Sequence, residues 1–253
     1  MKLIPALAAP ANTLICGASQ GIGLALCQSL LAHPDVERVY AVARHASTSA
    51  ELEALAQEHG QRLLRFDCDA RDEQALAQLA REVGASCQHL HLVISTLGIL
   101  QQDGARAEKS LTQLDLSGLQ ATFATNAFAP VLLLKHLLPM LRKQAATFVA
   151  LSARVGSIDD NQLGGWYSYR ASKAALNMLV KTASIEVART HPQAVLVALH
   201  PGTVNSALSA PFNGAEIGRP AADAAGDMLR VLDGLTPEET GSFYAYSGAP
   251  LPW

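Results

Sequence analysis

Two residue periods alternate along this chain, and that alternation limits its fold more than any other feature. Asn12–Cys16, Arg38–Ala43, Arg62–Asp67, His91–Ser95, Thr147–Ser152, Ala194–His200 and a short run near Ser242–Tyr246 read as strands. Between them, Gly21–His33, Glu51–His59, Asp72–Val83, Leu116–Arg142, Trp166–Arg189 and Ala221–Leu232 read as helices. Leu116–Arg142 has the length of one helix or of two in tandem. Strands that alternate with helices require right-handed crossovers, and these build a parallel sheet covered on both sides. The expected fold class is therefore α/β, with a mostly parallel seven-stranded sheet flanked by helices on both faces. No internal repeat or linker-like stretch divides the chain, so residues 1–253 read as a single domain.

The sequence has 253 residues and a formal net charge of −3. That balance carries no electrostatic footprint for nucleic acid. No apolar run approaches the roughly 18 residues of a membrane span. The start, Met1–Ala11, reads as a loose arm ahead of the first strand. Cys16, Cys27, Cys68 and Cys87 show no zinc-type spacing. Placed in a reducing compartment, the chain reads as cytoplasmic. His89 and His91 share a strand face, but no third metal ligand stands near them in sequence, so no metal is expected.

The first strand runs into Gly17-Ala18-Ser19-Gln20-Gly21-Ile22-Gly23, which opens the first helix. Glycines there let backbone approach a pyrophosphate, and a helix N-terminus offers free N–H groups to phosphates. The alternative is a purely structural turn. An NAD-preferring site carries an acid about 20 residues further on. Here Val42-Ala43-Arg44-His45 has none. Arg44 suits a 2′-phosphate, which favours NADP(H) and leaves NAD(H) as the alternative; otherwise it is a solvated loop charge.

Tyr169 and Lys173 stand four apart in a helical stretch and share a face. A neighbouring ammonium favours phenolate and lowers a tyrosine pKa. Such a pair suits acid–base work on a carbonyl or alcohol. Ser152 ends a strand, where a parallel sheet opens onto its ligand crevice. Its hydroxyl is expected to reach the same reacting oxygen. Asn126, in Thr125-Asn126-Ala127-Phe128, is a poor helix former within a helix and reads either as functional or as a cap.

With these motifs in order, together with Asp69 and Pro201-Gly202-Thr203-Val204, the chain resembles the short-chain dehydrogenase/reductase family over about residues 12 to 253. Gly164–Tyr169 and Ser247–Trp253 look most like its C-factor-like and sniffer-like carbonyl reductases. The resemblance implies a single NAD(P)-binding Rossmann domain that reduces a ketone or aldehyde with NADPH. It makes Tyr169 the general acid and Ser152 the group that polarises the carbonyl. Lys173 lowers the Tyr169 pKa and holds the nicotinamide ribose, while Asn126 supports a water chain. Gly17, Ser19, Gln20, Gly21, Ile22 and Gly23 cradle the cofactor, with Arg44 at its phosphate. Asp69 and the backbone of Ala70 meet the adenine. Gly98 leaves room for the cofactor, and Pro201, Gly202 and Thr203 border the carboxamide. The C-factor likeness implies an alternative, a cofactor-binding signalling or regulatory protein with little turnover.

One segment departs from the family pattern. Ser95-Thr96-Leu97-Gly98 stands where Asn-Asn-Ala-Gly is usual. The resemblance puts a brief substrate lid over Val204–Arg219, which contains Phe212. Trp166 and Tyr167 read either as pocket lining or as packing on the sheet. Arg154 reads as a contact for an anionic substrate group or, by preference, as a partner of Asp159 or Asp160. The expected partners are a small-molecule carbonyl or alcohol and further copies of the chain, as a homodimer or homotetramer, with no nucleic acid and no membrane.

Overall fold

The computed structural model describes residues 10–101, 106–141 and 145–253. Residues 1–9 of the expected arm and Arg142 at the end of the expected long helix lie outside the described residues. The strands are β1 (Ala11–Cys16), β2 (Val36–Ala43), β3 (Leu63–Asp67), β4 (Leu92–Ser95), β5 (Ala146–Leu151), β6 (Ala194–His200) and β7 (Ser242–Ala245). They form one sheet in the order β3-β2-β1-β4-β5-β6-β7, with every neighbouring pair parallel. The chain runs outward from β1 to β3, then returns beside β1 and runs the other way from β4. That reversal puts a crevice at the carboxyl ends of β1 and β4.

Strand alternation divides the core into two layers. Ile15, Val39, Ala41, Val149 and Val197 face one side. There they meet Leu26 and Leu30 of α1 (Gly21–Leu31), Leu52 of α2 (Ala50–His59), and Met228 and Leu232 of α8 (Ala221–Asp233). Leu14, Tyr40, Val42, Phe148 and Leu196 face the other. They pack on Leu76 and Leu79 of α3 (Glu73–Ser86), Leu133 and Leu137 of α5 (Ala129–Leu137), and Leu176 and Val180 of α6 (Tyr167–Thr190). Two-sided burial explains why the strands read as continuous apolar runs.

The stretch expected as one helix or two is α4 (Leu116–Phe123) joined to α5 by a π-helical turn, Ala124–Phe128. The run Leu116–Leu141 is long and apolar enough to cross a membrane by length and composition, contrary to the reading of the sequence. Its Leu133, Leu134, Leu137 and Leu141 lie in the sheet-packed core.

Three of these helices have side-chain caps on orphan N–H groups at their first turns. Ser49 accepts from Leu52 N–H at α2, Asp72 from Gln74 at α3 and Asp115 from Gly118 at α4. At α1 the N-cap is Gln20, which makes no side-chain cap, and its first turn holds no acid. The uncapped end of α1 opens on the crevice.

Candidate active site

Two adjoining cavities occupy the carboxyl end of the sheet. The first, of about 350 Å³, is lined by the glycine turn from Gly17 to Gly23 and by Arg44, Asp69, Ala70 and Arg71. The second, of about 390 Å³, is lined by Ser152, Ala153, Arg154, Trp166, Tyr169, Lys173 and Pro201–Val204. They share Ile22, Thr96, Leu97, Gly98, Ser206 and Leu208, so one cleft runs from Arg44 to Tyr169.

The glycine turn owes its shape to close backbone approach. Gly17 sits at φ +95, and a Cβ on Gly23 would lie 2.1 Å from the Gly17 carbonyl oxygen. The segment that departs from the family pattern serves this turn. Thr96 Oγ donates towards the carbonyl oxygens of Cys16 and Gly17, at 3.0 and 3.1 Å. Thr96 N–H donates to Cys16 O at 2.8 Å. Ser95 Oγ is buried and has no partner among the described residues. At the far end of the first cavity, Arg71 holds the Asp69 carboxylate with two nitrogens, the closest contact being 2.7 Å. This bond, with help from Arg44, keeps Asp69 below the ordinary carboxylate range.

The π turn places Asn126 side-on to the chain after β4. Its Oδ1 accepts from Ile99 N–H at 2.7 Å, and its Nδ2 donates to Ile99 O at 2.9 Å and to Ser172 Oγ at 3.0 Å. Asn126 is wholly buried and lines neither cavity. It pins the strand-to-loop segment that both cavities share. Single π turns inside α-helices often mark functional sites.

Tyr169 and Lys173 lie on the first turns of α6, facing the end of β5. Lys173 is buried, and its Nζ donates to Leu151 O at 2.7 Å. Nζ stands 5.9 Å from the Tyr169 ring centre. Burial pulls the Lys173 pKa down to about 7 and pushes the Tyr169 pKa up to about 12. This reverses the direction expected for the tyrosine, because desolvation of both groups outweighs the attraction that a charged lysine would supply.

Ser152 lies one residue past β5 and lines the second cavity together with Tyr169 and Lys173, and its hydroxyl donates to Asn177 Oδ1 at 2.6 Å. Ala153 packs in an apolar cluster with Tyr169 and Leu100 and, around it, Trp166, Leu208 and Phe212. Asn177 was missed in sequence, although it lies four residues beyond Lys173 on the same helical face.

Trp166, Phe212 and Arg154 line the second cavity, whereas Tyr167 does not. Tyr167 opens α6 and is 38% exposed, so it is corrected to a surface residue. Arg154 pairs loosely with Asp160, at 3.7 Å. His200 also lines the cavity, and burial, aided by Arg154, pushes its pKa down to about 4. At the opposite, amino end of the sheet, His91 Nδ1 accepts from Asn12 N–H.

Trp166 is held in an unusual backbone. Gly164, Gly165 and Trp166 have successive φ values of 66, 67 and 51. Arg170 fastens this left-handed turn by donating to the carbonyls of Gly165 and Val155. Trp166 N–H donates to the Glu108 carbonyl, and the buried Glu108 carboxylate accepts from Ser168 Oγ and N–H. No local sequence signal linked Glu108 to this helix start. The Trp166 ring meets Phe212 with centroids 5.0 Å apart. Phe212 belongs to the loop 204–219, whose base is closed by Asn205 N–H to Arg219 O and Arg219 N–H to Thr203 O. The loop carries a 3₁₀ turn, Ala210–Phe212, and one short helix, α7 (Gly214–Ile217).

The residues fit a dinucleotide. The cleft joins an uncapped helix N-terminus to a tyrosine–lysine pair, and Thr125, which lines the first cavity, has a buried hydroxyl without a partner among the described residues.

The comparisons agree with this geometry. A family model described as short chain dehydrogenase matches residues 11–216. The C-signal of Myxococcus xanthus is 40% identical over 146 residues, covering 57% of this chain and 84% of that protein. Among solved structures, the carbonyl reductase Sniffer of D. melanogaster superposes with a TM-score of 0.86 at 28% identity, covering 97% of this chain and all of that one. An NADPH-bound carbonyl reductase from chicken fatty liver gives 0.85 at 31% identity, covering 96% and 94%.

Proposed function

The chain belongs to the short-chain dehydrogenase family, an oxidoreductase family of the alcohol–carbonyl pair, and on that premise we propose that it is an NADPH-dependent carbonyl reductase. The observation that carries this reading is the unbroken cleft between Arg44 and the Tyr169–Lys173 pair. The α1 N-terminus takes the pyrophosphate and Arg44 the 2′-phosphate. Asp69 and Ala70 border the adenine. Gly98 gives the nicotinamide half room, and Pro201, Gly202 and Thr203 border the carboxamide. When bound, NADPH supplies a hydride to the carbonyl carbon and becomes NADP⁺.

Tyr169 then protonates the carbonyl oxygen. Burial keeps its phenol protonated at neutral pH, the form a general acid needs. Lys173 bridges the nicotinamide ribose and the Leu151 carbonyl. Asn126 fixes the Ile99 backbone and supports the route by which protons return. Trp166, Phe212 and Leu208 give an apolar wall to a small ketone or aldehyde.

We further propose a cytoplasmic protein that assembles with copies of itself through the outer faces of α4 to α6. Leu116, Phe128, Met178 and Ile185 present exposed apolar side chains there. The likeness to C-signal supports a second reading, a cofactor-binding signalling protein with little turnover. One experiment separates the two. NADPH and NADH are titrated onto the pure protein, and a carbonyl panel is then followed by loss of nicotinamide absorbance. Tight NADPH binding with turnover supports the reductase; tight binding without turnover supports the signalling reading.

A further inference from the structure

Among the described residues, the ionisable groups that line the second cavity are Arg154, Tyr169, Lys173 and His200, and none of them is a carboxylate. The chain as a whole carries a net charge of −3, so this is a local bias. Three of the four are already accounted for. Burial keeps the Tyr169 phenol protonated and neutral. Lys173 is committed to the Leu151 carbonyl. Burial, aided by Arg154, also keeps His200 neutral at physiological pH. Arg154 is the cation that remains. Its contact with Asp160 stands at 3.7 Å, beyond hydrogen-bonding distance, whereas Arg65–Glu53, Arg71–Asp69 and Arg230–Asp227 each close at 2.7 Å. The Arg154 side chain is 52% exposed, which puts it at the mouth of the cavity. Beside it, His200 Nδ1 is buried without a partner among the described residues. The wall that faces these groups is apolar, with Leu100, Trp166, Leu208 and Phe212.

From this we infer that the second cavity takes a keto acid, with its carboxylate on Arg154, its apolar body against Trp166 and Phe212, and its ketone at Tyr169. This rests on the carbonyl-reduction reading and names a substrate class for it. A guanidinium offers paired donors that match the two oxygens of a carboxylate. Asp160 holds Arg154 too loosely to spend those donors. Arg154 lies two residues beyond Ser152, within about 7 Å of it along the backbone, so a short spacer between ketone and carboxylate spans the site. In the reaction the ketone carbon gains the hydride with its two electrons, the oxygen gains the Tyr169 proton, and NADPH leaves as NADP⁺. The product is the hydroxy acid. The carboxylate takes no part in the bond changes, and Tyr169 is reprotonated from water.

The test measures kcat/KM at saturating NADPH for 4-oxo-4-phenylbutanoate and for its methyl ester. The two probes share one ketone and differ in charge at the far end. The proteins are the full-length wild type, Arg154→Gln and Arg154→Lys. Wild type is expected to favour the acid about tenfold, with the difference in KM, because a charge pair remote from the ketone is made equally before and during the reaction. Arg154→Gln is expected to bring the ratio to about one. Arg154→Lys is expected to keep about threefold, since it retains the charge and loses the paired donors. NADPH affinity should not change in either variant. A wild type that treats the two probes alike, or favours the ester, would overturn the inference and leave the reductase reading standing. An undiminished ratio in a folded Arg154→Gln would overturn it as well, as would no turnover of either probe by a protein that reduces other carbonyls. No turnover of any carbonyl, with NADPH bound, would overturn the reductase reading itself and the inference with it.

Discussion

Lys173 reaches past the tyrosine it was expected to serve and donates to the Leu151 carbonyl, 2.7 Å away. This bond ties α6 to the last residue of β5 at the point where the two cavities meet. It also places an ionisable amine where water is excluded, and the cost falls on its charged form. The Lys173 pKa falls to about 7 in the folded, cofactor-free protein. An unfolded chain binds this proton up to about 10.4.

The sign of the resulting pH dependence is fixed. Between pH 7 and 10 the unfolded state holds more protons at this site, so stability rises with pH over that window. Below pH 7 the contribution is lost. Lys173→Met is expected to flatten the slope of melting temperature against pH from 7 to 9.5, measured without cofactor. An unaltered slope would place the titration elsewhere.

Tyr169→Phe removes the acidic proton and keeps the ring that packs on Ala153 and Trp166. Turnover on every carbonyl substrate is expected to fall by at least about a thousandfold, a little within the combined worth of acid catalysis and oxyanion stabilisation. NADPH affinity should stay within about threefold. Stopped-flow single turnover with fluorescence titration would check both; retained turnover would remove the proton from Tyr169.

Arg44→Asp exchanges a guanidinium for a carboxylate where the proposed 2′-phosphate lies. Preference is expected to swing from NADPH toward NADH by about a hundredfold or more, as one charge-assisted pair is lost and one repulsion gained. The ratio of kcat/KM for the two cofactors is the readout. An unchanged ratio would mean that Arg44 does not read the phosphate.

Thr96→Val keeps the shape of the side chain and deletes the hydroxyl shared by the Cys16 and Gly17 carbonyls. A loss of about 1 kcal/mol in stability is expected, together with weaker NADPH binding, because the glycine turn relaxes. Urea titration and a binding isotherm report the two effects separately. Unchanged affinity with lowered stability would confine Thr96 to a structural role.

Strand and helix order were legible because both core layers are built from residues whose period shows in the sequence, such as Leu26 and Leu30 against Leu76 and Leu79. The glycine turn was legible for a similar reason, since local geometry demands those residues. The bond from Ser152 to Asn177 was not legible, because a hydroxyl at a strand end can face either layer. Its direction depends on where β5 stops, and element boundaries are the least readable feature of a sequence. The Tyr169 shift was misread because proximity was visible and burial was not. Glu108 was beyond reach. It stands 60 residues from Ser168 in sequence, and only the tertiary fold brings them together.

Among the described residues, the non-glycine positions with left-handed backbone are Trp166 and Asn213. One carries the aromatic wall of the second cavity, and the other directly follows Phe212 on the facing loop. Outside glycine, that conformation is tolerated best by asparagine and aspartate. A β-branched replacement at position 166 would have to rebuild the turn that Arg170 fastens. Phe212 has no such restriction on its own backbone and sits in a loop closed at its base. Among descendants of such a chain, new substrate ranges should arise by change at Phe212 and its loop, while Trp166 is inherited unaltered.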